Sequence, residues 1–194
     1  MYLIASHTDH GEIIVVSGRQ IVTAEKLEIL AIGTRVSWED GLDASDVIES
    51  VLSSGAIPVL PWGFGKWLGR RGQEVRRLVE QFSSTSLYLG DNSGRPDVLP
   101  GPSIFAWARE LGNRILRGSD PLPFAAECGR AGSFGFYVKI PDRGDDIWPT
   151  LRRNLQSGDC ELNNYGSLES PCRFVRNQIA MQFRKRLMSH RVSI

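Results

Sequence analysis

Short apolar runs separated by stretches of helical period constrain this chain more than any other feature. Ile13–Val16 and Leu27–Ile32 read as strands, the second ending at Gly33. From Asp43 the pattern changes: Val47, Ile48, Val51 and Leu52 recur at three- and four-residue spacing, which buries one face of a helix. Gly55 stops that helix and Ile57–Leu60 opens the next strand. The unit then repeats. Val75, Leu78, Val79 and Phe82 mark a second helix before Leu87–Leu89, and Ile104–Leu111 a third before Arg114–Leu116. A last short strand falls at Phe134–Val138. Helices of this length between short strands predict parallel strands joined by right-handed crossovers. About five such units are expected, whereas a complete eight-fold barrel takes about 250 residues. An open sheet and an incomplete barrel both satisfy the pattern.

After Val138 the composition shifts. Pro141–Asp146 is polar and turn-like, Trp148–Leu155 a short helix, Gly158–Pro171 largely loop, and Cys172–Met188 a long amphipathic helix. In the last, Val175, Ile179, Phe183 and Leu187 form a stripe at four-residue spacing that predicts burial against the domain. The chain thus divides into an α/β domain at 1–140 and a helical extension at 141–194.

With 194 residues, 41% of them hydrophobic, the chain can bury a sizeable core and is not disordered. Twenty-three basic against 22 acidic residues argue against a surface built throughout for nucleic acid. No acidic residue follows Glu169, while Arg173, Arg176, Arg184, Lys185, Arg186 and Arg191 do. Such a helix suits RNA, DNA or an anionic membrane, but the near-neutral total favours arginines that offset acids elsewhere in the fold. Cys128, Cys160 and Cys172 form no CxxC pair, which fits a reducing compartment. No apolar run approaches the roughly 18 residues of a membrane span, and the first residues lack a signal-peptide pattern, so the cytoplasm is expected. Self-association is left open.

In parallel α/β sheets, function gathers where strands end and helices have not begun. Three such ends carry small, polar or aromatic residues: Pro61–Trp67, Gly90–Pro96 and Gly118–Pro123. They predict one cleft. Asp91 and Asp120 are its candidate carboxylates for holding a cation or moving a proton. Arg95 and Lys66 are candidates for an anionic group, Asn92 and Ser119 for further polar contacts, and Trp62 with Trp67 for flat apolar walls. The structural alternatives are that Asp120 caps a turn, Arg95 pairs with Asp91, and the tryptophans fill the core. His7 and His10 flank Asp9 and are candidate metal ligands.

The order of these motifs resembles the PHP superfamily, the polymerase and histidinol phosphatase relatives. Four stretches carry the resemblance: Gly18–Glu25 running on to Glu28–Gly33, Ala44–Trp62, Leu87–Asn92, and Gly118–Ser119–Asp120. The resemblance implies a distorted TIM-like (β/α) barrel, here incomplete and followed by the C-terminal amphipathic helix. It also implies a metal-dependent phosphoesterase acting on a small anionic or phosphorylated substrate. Asp120 matches an aspartate metal ligand and His10 a histidine one, for Zn, Mn or Fe. Gln20 stands where the family has a ligand glutamate, Pro61–Trp62 where it has His-Pro, and Pro121–Leu122 where it has Ala-His. Those replacements support an alternative: a PHP-like ligand-binding or regulatory module without a metal centre.

Overall fold

The computed structural model describes residues 2–7, 11–139, 147–158 and 160–191. Its centre is a five-stranded sheet of β3 (Gly18–Val22), β4 (Glu28–Ile32), β5 (Ile57–Pro61), β6 (Tyr88–Asn92) and β7 (Ile115–Gly118), in that spatial order. The helices α1 (Ala44–Ser53), α2 (Arg70–Gln81) and α3 (Ser103–Glu110) connect the last four strands. Asp43 starts α1 by accepting from the Ser45 and Asp46 amides at 2.8 and 3.4 Å, and these bonds hold its carboxyl below the usual range.

The pleat sorts each strand's side chains between two faces. Ile29, Ala31, Leu60 and Leu89 point to the first face, where Val47, Ile48, Val75, Leu78 and Phe105 of the three helices cover them. Ile57, Val59, Tyr88 and Leu116 point to the second. There they meet Trp148 and Leu155 of α4 (Ile147–Ser157). Val16 also packs here; it ends β2 (Gly11–Val16), which pairs antiparallel with β1 (Tyr2–His7). Phe136 of β8 (Gly135–Tyr137) adds to this cover, and β8 pairs with β9 (Asn163–Tyr165). Burial pushes the Tyr88 phenol up to about 12, so it stays protonated and donates to the Thr85 carbonyl at 3.1 Å.

The expected TIM-like barrel is not what forms. The sheet is open, and only β5–β6 and β6–β7 pair in parallel; β3–β4 and β4–β5 are antiparallel. The cause lies between β4 and α1. Residues 34–42 run back to the β3–β4 turn, where the Ala24 amide donates to the Leu42 carbonyl at 2.8 Å and the Gly41 amide to the Val22 carbonyl at 2.7 Å. The Asp40 carboxylate accepts from the Val22 amide at 2.9 Å and fixes the return. Helix α1 therefore starts where β4 began, and β5 leaves it antiparallel, Ile32 opposite Ile57 and Leu30 opposite Val59. A strand of five residues spans about 17 Å, well within the reach of this connection.

The C-terminal helix, α5 (Pro171–Arg191), also differs from expectation. Val175, Ile179 and Phe183 are 54, 52 and 62% exposed. The helix docks instead through Phe174, whose ring meets Phe64 edge-on at 5.1 Å, and through Arg173 and Asn177. No helix among the described residues is long and apolar enough to cross a membrane.

Candidate functional site

Because β5, β6 and β7 are parallel, Pro61, Asn92 and Gly118 end at the same rim. The reversed β4 brings its first residue, Glu28, to that rim as well. Below it, between the second face and α4, lies a cavity of about 420 Å³. Leu30, Val59 and Leu116 of the sheet, with Trp148, Leu151 and Leu155 of α4, make its apolar walls. Gln20, Glu28, Asp91, Asn92, Arg117 and Asp120 are its polar lining residues. Gly90 also lines it, and having no side chain leaves that wall open.

The three predicted strand ends do converge. The Asn92 amide nitrogen donates to the Trp62 carbonyl at 2.9 Å and to the Asp120 carboxylate at 3.1 Å, tying all three together. Its amide oxygen accepts from the Gly94 amide at 3.1 Å. Ser93 donates to the Ser119 carbonyl at 2.7 Å, while the Ser119 hydroxyl accepts from the Gly132 amide at 3.1 Å. Ser119 thus braces the loop. Trp62 and Trp67 pack against the first-face core and line a neighbouring cleft of about 480 Å³ with Phe64 and Arg76.

The charged candidates divide. Asp91 is only 4% exposed and accepts from two guanidinium nitrogens of Arg95, Nε and Nη2, at 3.0 and 3.1 Å. Lys66 holds Glu28 at 2.6 Å. Both cations expected to meet an anion are therefore matched within the chain, and Asp91 is a structural partner of Arg95. Asp120 is exposed and has no cation partner among the described residues. Its φ of +41° is the left-handed backbone that L residues rarely adopt, a strain typical of functional rims.

No group of three or more His, Cys, Asp or Glu side chains converges among the described residues. With Asp91 and Glu28 already neutralised, the donors at this rim fit a divalent cation poorly. The backbone of His7 ends β1, and its side chain, like the whole of His10, lies outside the described residues.

One polar cluster escaped the sequence reading. Glu127, in the 3₁₀ turn Ala125–Arg130, and Glu169 are 2 and 3% exposed beside the Asp120 loop. Arg173 donates to Glu127 at 2.8 Å, Arg130 to Glu169 at 3.2 Å, and Asn177 to both acids, at 3.2 and 2.7 Å. No local pattern announces it, since its members are up to 50 residues apart. Desolvation works to raise the Glu127 carboxyl, but its bonds from Arg173 and Asn177 hold it below the usual range. For Glu169, desolvation outweighs Arg130, and the adjacent Glu127 charge adds to it, so its carboxyl is raised.

These directions set a pH signature. The raised Glu169 binds a proton more tightly folded than unfolded, so its contribution falls as pH rises above about 4.5 through its folded pKa. Glu127 has the opposite sign: its contribution is present above about 4.5 and is lost as pH falls through its lowered folded pKa. We expect Glu169→Gln to flatten the decline in stability above that pH, read from urea denaturation at pH 4.5 to 7. An unchanged slope would remove Glu169 as its source.

No protein-family model matches this chain, and no curated protein matches it either.

Proposed function

We propose that the chain binds a small molecule whose apolar body sits between the second face of the sheet and α4, and whose polar end is read by Asn92 and Asp120. The single observation that carries this reading is the cavity itself. Its volume of about 420 Å³ lies in the range of small-molecule sites, and apolar walls with a few convergent polar groups are their usual make-up. The internal pairing of Lys66 and Arg95 supports binding over phosphate-ester chemistry at this rim. It agrees with the PHP-like binding module suggested by the replaced ligand positions.

An apolar fluorescent probe, 1-anilinonaphthalene-8-sulfonate, tests it. Leu30→Trp fills the cavity from the sheet side, and we expect it to weaken probe binding at least tenfold while the circular dichroism is kept. Equal affinity in the two proteins would place the probe elsewhere and sink the reading.

A second reading, hydrolysis of a small phosphorylated molecule, rests on Asp120, whose strained backbone holds a carboxylate without a cation partner at the cavity mouth. It requires that Asp120→Asn lower any esterase activity by about a hundredfold or more, the usual scale of a general base. Metal content counted per chain, for Zn, Mn and Fe, belongs to the same assay. Activity that survives the substitution would end this reading and leave the binding one standing.

A further inference from the structure

Three arginines from consecutive elements meet on the far side of β7. Arg109 comes from the last turn of α3, Arg114 from the turn that follows, and Arg117 from β7 itself. With Asn113, Asn164 and Cys160 they line an open pocket of about 240 Å³, and no carboxylate is among its lining residues. Arg77, Arg95, Arg130, Arg173 and Lys66 all hold carboxylates. Arg109, Arg114 and Arg117 have no such partner among the described residues.

Two of the three are held in place without being neutralised. Arg114 donates to the Gly158 carbonyl and to the Cys160 sulfur, and the Arg117 guanidinium lies over the Phe134 ring at 4.8 Å from its centroid. In a chain of net charge +1, three guanidinium groups around one small pocket that no carboxylate lines are a local excess of positive charge. Fixed, planar donors of this kind match phosphate oxygens in pairs.

We propose that this pocket binds the phosphate or diphosphate group of a small molecule. It is separate from the cavity under α4, although Arg117 lines both, and it stands whether or not that cavity takes a ligand. The anion-binding role that the sequence places on Lys66 and Arg95 moves here, to cations the fold leaves uncommitted.

The probes are inorganic phosphate and pyrophosphate, each against sodium chloride of equal ionic strength, with the shift in thermal midpoint of the full chain as readout. A saturable rise is expected, larger for pyrophosphate. The variant Arg109→Gln/Arg117→Gln leaves the Arg114 contacts in place and should weaken pyrophosphate at least tenfold, while Lys66→Gln should leave it within twofold. Circular dichroism of each variant separates lost binding from lost folding, and Arg109→Gln by itself, on an exposed side chain, repeats the test should the pair unfold. No rise beyond the chloride control, or a rise unchanged in the folded variant, overturns the proposal. So does a single-stranded 12-mer that binds far more tightly than pyrophosphate with a steep salt dependence, which would make the pocket part of a nucleic-acid surface.

Discussion

Replacing Gly33 with alanine is expected to lower stability by about 2–4 kcal/mol, from left-handed backbone and overpacking together. Gly33 turns the chain out of β4 at φ +89°, with its amide donating to the Ser17 carbonyl at 2.7 Å. A Cβ built there would stand 1.8 Å from the Trp148 ring, so the indole, and α4 with it, would have to move off the sheet. Two companions separate the causes. Gly41, also at φ +89°, has open space around it, so Gly41→Ala carries the backbone cost without the clash, about 1–2 kcal/mol. In a Trp148→Ala background, Gly33→Ala should fall to that same value. Denaturation curves within about 0.5 kcal/mol of the parent for Gly33→Ala would mean that Trp148 does not sit over this turn.

Glu127→Ala is expected to cost about 3 kcal/mol, the low end for breaking a buried ion pair from one side. Its carboxylate takes bonds from Arg173 and Asn177, and Arg130 lies 3.8 Å away. Truncation leaves these donors around Glu169 and removes the main polar anchor of α5. Cleavage by trypsin within residues 171–191 should therefore quicken along with the loss of stability. Arg176 approaches the same carboxylate at 3.8 Å but with its side chain 62% exposed, so Arg176→Gln should change stability by less than about 0.5 kcal/mol. Equal effects from the two substitutions would show that the cluster does not fasten the helix.

The apolar periods made most elements legible. Val47, Ile48 and Val51 do mark α1, and Val75, Leu78 and Val79 do mark α2, each against the first face. What periodicity could not carry was direction. Leu27–Ile32 looks the same in a parallel or an antiparallel pair, and its orientation is decided by the backbone bonds of residues 40–42 to the β3–β4 turn. For the strand Tyr2–His7 the turn-type residues Asp9 and Gly11, after the short apolar run Tyr2–Ala5, are the available signal, and its pairing with Gly11–Val16 defines it.

For the candidate site, the strand ends singled out in the sequence do lie at one rim. Trp62, Asn92 and Asp120 are joined there through one amide group. Which cations remain uncommitted was not readable, because Lys66 and Glu28 are 38 residues apart and meet only through the reversal of β4. Likewise Val175, Ile179 and Phe183 read as a face to be buried, but what the helix meets beside the Asp120 loop is the buried pair Glu127 and Glu169, and buried carboxylates take the helix face that offers Arg173 and Asn177.

The strictly sequential strand order has a consequence for how the molecule is put together. No strand of the central sheet is inserted between two that precede it in the chain, so each pairing closes a short loop and adds to an existing edge. The apolar core of the first face draws on residues 21–108 and, beyond them, on Ile115 alone. The outer wall of the cavity comes from Phe136 and from Trp148, Leu151 and Leu155. On a growing chain, the floor of the cavity is thus complete before its outer wall has been synthesised, and the cavity is closed only when that wall docks.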